Sequence, residues 1–451
     1  MRFYSTNKES KNFSFSEVLR LGLAPDGGLF MPEKWPKLKA DFLKFSFHQI
    51  ALKAAQQFVS EIPLKDLKRI ISGTFNFPAP LKHLVNNIYV LELFHGPTLA
   101  FKDFGARFLS RSLGYFLKNQ NQILNIIVAT SGDTGSAVAA GFFKVPNIRV
   151  FILYPSGKVS RLQEKQLTTY GHNITAIEVK GTFDDCQKLA KKILSDKILN
   201  KQMLFSSANS INFGRLLPQS FYYFWAYSQL EKFLNPDSTL SHPSRRADKS
   251  ARYGTRKAEP VFVVPSGNFG NLFAGLMAKK MGLPVYKFVA ATNANNTIQK
   301  YLDTGKFFPK KSKTTISNAM DVGNPSNFAR MLEMYNNNHK AIRKDITAFS
   351  VSDTETKNTI RKIYHQTGYV CDPHTAVGIK AAWQYQKAVK NIHPVVVLST
   401  AHPAKFREVI EPIIRKKIKL PKQLIEPMKK KKQSIKVSTD YNQLKKVLFS
   451  I

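Results

Sequence analysis

Residues 125–142 read NIIVATSGDTGSAVAAGF. An apolar, β-branched run ends at Thr130, a loop of small polar residues follows, and a small-residue helical pattern begins inside it. A strand that passes through a short loop into a helix is the start of a βαβ unit. Comparable runs recur as IRVFILYP (148–155), ITAIEV (174–179), VFVVP (261–265), VYKFVAAT (285–292) and PVVVLST (394–400), alternating with helical stretches. This alternation predicts an α/β fold with mostly parallel open sheets, covered on both faces. In such sheets ligands bind beyond the carboxyl ends of the strands.

The residues at those ends are therefore the ones to read for chemistry. The first loop holds Ser131, Gly132, Asp133 and Thr134. Small polar residues at a strand-to-helix turn set hydroxyls and free N–H groups around an anion, although a plain helix cap reads the same way. VFVVP runs into SGNFGN, where Gly267, Asn268, Phe269, Gly270 and Asn271 form a second turn whose backbone can approach and cradle a phosphate. Neither loop has P-loop spacing, and no acidic residue follows at the dinucleotide position, so a nicotinamide-binding fold is disfavoured. PVVVLST ends on Ser399 and Thr400, which places hydroxyls at a third strand end. NSINFGRLLPQ, with Ser210, Asn212 and Arg215, and YPSGKVSRLQEKQ, with Lys158 and Arg161, mix amides, hydroxyls and cations suited to an anionic substrate.

One lysine stands apart. In HGPTLAFKDFGARFL (95–109), Lys102 lies between Phe101 and Phe104 at the start of a helical pattern. An ammonium desolvated by aromatic neighbours is easier to deprotonate, and the neutral amine attacks aldehydes. A reactive amine, two anion loops and a strand-end hydroxyl are the parts of a pyridoxal phosphate site, which needs an amine for the aldehyde, donors for the phosphate, a partner for the ring nitrogen and a site for the substrate carboxylate.

Composition narrows the class. The 451 residues, 43% of them hydrophobic, suffice for several packed domains. Cys186 and Cys371 form no zinc or disulfide pattern, and no apolar leader or membrane-length run is present, so a cytoplasmic protein without metal is expected. The net charge of +38 is spread along the chain and clusters only near Lys429–Lys432, which favours solvated cationic faces over specific nucleic-acid binding. Residues 1–90 read as an N-terminal helical unit, with Ser14 capping SFSEVLRLGL. Residues 91–215 and 216–428 read as two sheet domains, 237–260 as a mobile polar insert, and 429–451 as a basic tail.

The ordered motifs DGGLFMPE, HGPTLAFKDFGARFL, ATSGDTGSA, YPSGKVSRLQEKQ, NSINFGRLLPQ, PSGNFGN, SNAMDVGNPSNF, DPHTAVG and STAHPAKF resemble the threonine synthase family, in its bacterial and fungal branch. This family belongs to the tryptophan-synthase-β-like pyridoxal-phosphate enzymes of fold type II. The resemblance implies pyridoxal 5'-phosphate held by Lys102 as a Schiff base, with its phosphate in the loop Gly267–Asn271, Asp133 facing the phenolic oxygen and Thr400 on the ring nitrogen. It also implies that Ser131 and Thr134 receive the substrate carboxylate. Ser210, Asn212, Arg215 and, more weakly, Lys158 would contact the phosphate of O-phospho-L-homoserine in a monomeric or homodimeric enzyme. Arg161 stands where this branch commonly has proline, and FYSTN (3–7) lacks the usual arginine after Ser-Thr. The alternatives are a related phospho-lyase or serine/threonine dehydratase and, more distantly, a non-catalytic polyanion-binding protein.

Overall fold

A computed structural model of the chain describes residues 1–235, 258–390 and 392–451. Six parallel or mostly parallel neighbours form the larger sheet, in the order Ile346–Ser350, Lys287–Thr292, Val261–Pro265, Val395–Ser399, Ile88–Glu92 and Leu81–Val85, with only the last strand antiparallel. A second sheet of five parallel strands runs Ile435–Val437, Ile174–Val179, Ile148–Pro155, Leu124–Ala129 and Leu204–Ser207. Val261–Pro265, Leu124–Ala129 and Val395–Ser399 are buried throughout, as expected for parallel strands covered on both faces. All six strands expected from the β-branched runs are present.

Two helices lie where the sheets meet. Lys102–Leu117 packs against both Asp133–Phe142 and the 22-residue helix Phe213–Leu234. Gly105 makes the second contact possible: a Cβ there would stand 2.6 Å from the Arg215 carbonyl oxygen. Any side chain at Gly105 would push Arg215 away. On the other side of the lysine helix, Phe104 is fully buried and meets Phe47, Phe75, Phe77 and Tyr222, with ring centroids 5.0–6.0 Å apart. Burial of one such ring contributes roughly 2–3 kcal/mol, and here it fixes the helix that carries Lys102.

The N-terminal region departs from a purely helical reading. It contains the helices Phe15–Leu21, Phe47–Gln56 and Leu64–Thr74, and Ser14 forms a capping box with Glu17. It also contains an antiparallel sheet of Lys11–Phe13, Phe3–Ser5 and Phe30–Pro32, and its last ten residues enter the larger sheet. These strands are three residues long, too short for a period-2 pattern to register. The basic tail packs onto the five-stranded sheet. Ile435–Val437 is the edge strand of the five-stranded sheet, and Tyr441–Phe449 is a helix that buries Leu444 and Leu448. Lys432 is drawn in by Glu164 at 2.6 Å and Glu178 at 2.8 Å. The insert 237–260 lies outside the described residues except for its last three positions.

Candidate active site

The three strand ends singled out in the sequence open onto one cleft between the sheets. Lys102, Ser131, Asp133, Thr134, Ser210, Arg215, Gly267, Asn268, Phe269, Gly270, Asn271 and Thr400 all line it. Two predicted residues do not. Asn212 is fully buried as the cap of helix Phe213–Leu234: its Oδ1 accepts the Gly214 N–H at 2.9 Å and its Nδ2 donates to the Leu19 and Ser207 carbonyls. An amide with every group engaged has nothing left for substrate. Lys158 is exposed beyond the end of Ile148–Pro155 and does not reach the cleft.

In the first loop, the Thr130 hydroxyl accepts the N–H groups of Gly132 and Gly135 at 2.9 and 2.8 Å, which curls the chain at the strand end. The hydroxyls of Ser131 and Thr134 and the N–H groups of Ser131, Asp133 and Thr134 bond to no other group among the described residues. They form a neutral bed of donors for a carboxylate.

The second loop is a tighter cradle. Phe269 adopts the left-handed conformation, φ 56°, directly before helix Gly270–Lys280. The N–H groups of Gly267 through Asn271 have no acceptor among the described residues and converge at the helix N-terminus, the favoured place for a phosphate. Gly267 is dictated by space, because a Cβ would sit 2.7 Å from Met320 Cα. The Asn271 side chain holds the loop in shape, donating to the Pro265 carbonyl and accepting from the Ser266 hydroxyl. Asn268 reaches out of the loop and donates to Ser210 Oγ at 2.7 Å, while Asn327 donates to the same oxygen at 3.1 Å. The Ser210 hydroxyl proton is therefore free for a ligand, and the two loops are bonded to each other.

Arg215 projects from the first turn of its helix into the same region. One terminal nitrogen donates to the Ala208 carbonyl, whereas its buried Nε has no partner among the described residues. An unpaired buried guanidinium N–H is costly unless a ligand takes it. Burial draws the Arg215 pKa down to about 10, and the carboxylate of Asp103 acts against this.

The Lys102 ammonium opens onto the cleft rather than onto bulk water. Desolvation lowers its pKa from 10.5 to about 8; Asp133 opposes this shift, and the cations Lys405 and Arg215 reinforce it. Of the two aromatic neighbours, only Phe101 lies beside the amine. Phe101 lies 5.7 Å from Nζ, while Phe104 belongs to the core. Asp133 is held well below the carboxylate range despite burial, because Lys405 and Lys102 face it and Gln163 donates to it at 2.8 Å.

Lys405 and Arg330 escaped the sequence reading, and His374 reads from the sequence as a structural histidine. Lys405 lies 2.6 Å from Asp133 with no exposed side-chain surface. Arg330, fully buried and without a carboxylate partner, donates to the carbonyls of Phe30, Ser210 and Ile211 and to Asn327 Oδ1, and so braces the Ser210 loop. His374 lines the cleft. It accepts the Ala319 N–H at Nε2, so Nδ1 carries the proton and donates to Asp372 at 2.6 Å. Lys405 and His374 fall within quoted motifs and Arg330 lies two residues past one, but nothing in a single sequence separates Lys405 or Arg330 from the other cations. Among the described residues no cluster of histidine, cysteine and acidic side chains could hold a metal.

A family model for pyridoxal-phosphate dependent enzymes matches residues 74–401. Models for the threonine synthase N terminus and C-terminal region match residues 2–75 and 375–448. The chain belongs to the threonine synthase family of pyridoxal-phosphate dependent enzymes. Within this family, the threonine synthase of Buchnera aphidicola from Schizaphis graminum is 40% identical over 454 residues, 99% of each chain. The crystal structure of threonine synthase from Escherichia coli matches with a TM-score of 0.87 at 37% identity, covering 100% of both chains. A pyridoxal-phosphate-bound threonine synthase from Brucella melitensis matches with a TM-score of 0.86 at 33% identity, over 99% of this chain and 98% of the other.

The residues present fit the family's cofactor. The loop Gly267–Asn271 offers unpaired N–H groups to its phosphate, Lys102 an amine to its aldehyde, and Thr400 a hydroxyl without a protein partner in the cleft wall. Because the neutral amine is the attacking form and its pKa is lowered to about 8, uptake of pyridoxal phosphate by apoprotein rises with pH and levels off above about 8. Absorbance time courses from about pH 6.5 to 9.5 check this. A midpoint near that of free lysine would contradict the desolvation account.

Proposed function

We propose that this chain converts O-phospho-L-homoserine and water to L-threonine and phosphate, with pyridoxal 5'-phosphate attached at Lys102. The observation that carries this reading is a second anion site beside the cofactor cradle. Arg215, with its unpaired Nε, and Ser210, with its free hydroxyl proton, lie next to the Gly267–Asn271 loop but belong to a different segment. A substrate that carries its own phosphate as well as a carboxylate accounts for both this site and the donor bed at Ser131 and Thr134.

In this assignment the Gly267–Asn271 N–H groups hold the cofactor phosphate, Asp133 faces the phenolic oxygen, and Thr400 pairs with the ring nitrogen. A hydroxyl partner, unlike a carboxylate, leaves that nitrogen largely unprotonated. When bound, pyridoxal phosphate supplies an electron sink that makes protons on the substrate's α- and β-carbons acidic. Lys102 is the base placed to take the Cα proton and to return one to the same atom. Ser131 and Thr134 fix the carboxylate, and so fix which bond at Cα faces Lys102. Arg215 and Ser210 hold the phosphate at Cγ and take up charge as it leaves.

The expected setting is a cytoplasmic enzyme acting as monomer or homodimer; two buried cysteines without a disulfide fit a reducing compartment, and among the described residues no helix is long and apolar enough to cross a membrane. The test is to incubate cofactor-loaded protein with O-phospho-L-homoserine and to quantify the products. Equal amounts of threonine and phosphate are expected. Release of 2-oxobutanoate in place of threonine would make it a deaminating lyase, and no phosphate release would overturn the reading.

A further inference from the structure

Lys405 follows the Thr400 strand end on the short turn Pro403–Phe406, and its side chain is sealed from solvent. Its Nζ has two partners. It lies 2.6 Å from Asp133 Oδ1 and donates to the Thr98 carbonyl at 3.0 Å. Thr98 in turn donates from its N–H, at 2.9 Å, and its hydroxyl, at 2.6 Å, to Asp103 on the lysine helix. Lys405 thus joins the strand end that carries Thr400, the loop before Lys102 and the helix that begins at Asp133.

Burying an ammonium and a carboxylate costs several kcal/mol per ion, and a well-packed apolar pair often serves stability as well or better. A buried pair in a cleft wall therefore calls for an explanation beyond stability. Two lysines act on this one carboxylate, Lys405 in contact and Lys102 through its charge at longer range. Asp133 is the anion acting on Lys102, while Lys405 and Arg215 are the cations acting on it. The remaining charged or titratable groups around Lys405 are Asp103, already bonded to Thr98, and His402, which burial keeps neutral by lowering its pKa to about 4. Without Lys405, Asp133 would keep the Gln163 amide at 2.8 Å but no cation in contact, and Lys102 would be the ammonium nearest to it in the cleft.

We propose that Lys405 is a positioning residue of the reaction: by holding the Asp133 carboxylate at contact distance, it prevents that carboxylate from closing on Lys102 and leaves the Lys102 amine free to gain and lose its proton. Lys405 touches neither substrate nor cofactor in this role. It acts through Asp133. The inference rests on Lys102 being the amine that carries the cofactor. That premise is tested separately, since borohydride reduction followed by peptide mass analysis shows which lysine is labelled.

The test uses cofactor-loaded enzyme carrying Lys405→Met, Lys405→Arg, Asp133→Asn or the Asp133→Asn/Lys405→Met pair. Two quantities are read: the pH at which the bound cofactor's absorbance titrates, and kcat separately from KM. Lys405→Met is expected to move the titration midpoint up by about one unit or more, the usual effect of an opposite charge at 4–6 Å. It should also lower kcat at neutral pH by about tenfold or more, with KM changed little. Lys405→Arg, which keeps the pair, stays near wild type on both counts. In the Asp133→Asn background the same Lys405→Met change moves the midpoint far less, because no carboxylate remains to close on Lys102. An unmoved midpoint in Lys405→Met, or an equal shift in both backgrounds, overturns the proposal. If Lys405→Met fails to hold cofactor, Lys405→Gln, which keeps a donor for the Thr98 carbonyl, carries the same comparison.

Discussion

Lys102→Ala abolishes turnover, with a loss of at least about 10⁴-fold in kcat, because it removes both the attachment point of the cofactor and the base at Cα. No other lysine lines the cleft among the described residues, and the Arg215 guanidinium cannot replace an amine as base or nucleophile. The apoprotein, by contrast, loses no stability at neutral pH and is expected to gain some. The wild-type amine has a pKa of about 8 when folded and 10.5 when free, so below pH 8 it is charged in both states and the folded state bears the desolvation cost. That cost shrinks between pH 8 and 10.5 and is gone above it. Thermal unfolding of the two apoproteins at pH 7 and pH 10.5 should therefore show the variant ahead at the lower pH and level with wild type at the higher. Catalytic residues commonly destabilise the fold that holds them. Residual activity within tenfold of wild type, or a borohydride-fixed cofactor in the variant, would remove Lys102 from its role.

How far the sequence carried the site depends on what each residue does. Strand ends such as Thr130–Thr134, Ser266–Asn271 and Thr400 were legible because parallel strands all deliver their carboxyl ends to one edge of a sheet, and hydroxyls and glycines at those ends have few other uses. Asn212 was misread because an asparagine that caps a helix and one that binds a ligand look alike in sequence. The helical pattern beginning at Phe213 was the clue, since the side chain of an asparagine just before a helix is claimed by the N–H two residues on. Lys158 failed for a different reason. A cation in a motif says nothing about reach, and this one is exposed and does not line the cleft.

Lys405 and Arg330 mark a stricter limit. Each is one among 68 lysines and arginines, and what distinguishes them, burial against Asp133 in one case and against three backbone carbonyls in the other, exists only once segments far apart in sequence have been packed together. The strands Ile88–Glu92, Leu204–Ser207 and Ile346–Ser350 were missed for a related reason. The first two include Glu92 and the serines of LFSS, polar residues that a single-sequence pattern scores against a buried strand. In the fold Glu92 is paired with Lys82 at 3.0 Å and His95 at 2.8 Å, and that partnership is invisible before the hairpin forms.

Arg215→Ala is the second variant with a large expected effect, and it separates the two anion sites. Arg215 is held by its own helix, by the Ala208 carbonyl and by the close approach of Gly105, so its unpaired Nε does not depend on side-chain wandering for its aim. Hydrogen bonds to charged groups contribute about 1.5–3 kcal/mol, which corresponds to an increase of roughly 10- to 100-fold in KM for a phosphorylated substrate. The phosphate gathers charge as it leaves, so kcat should fall as well, and kcat/KM more than either. Cofactor affinity should change much less, because the Gly267–Asn271 cradle is built from backbone N–H groups at a different strand end. Arg215→Lys keeps the charge without the planar fork and should recover only part of the loss. Loss of the Arg215 cation also removes one of the influences lowering the Lys102 pKa, so the pH dependence of cofactor uptake should shift upward in Arg215→Ala. An unchanged KM together with that upward shift would place Arg215 in the electrostatics of Lys102 alone, and the substrate phosphate would then have to be held by Ser210 and the loop it shares with Asn268.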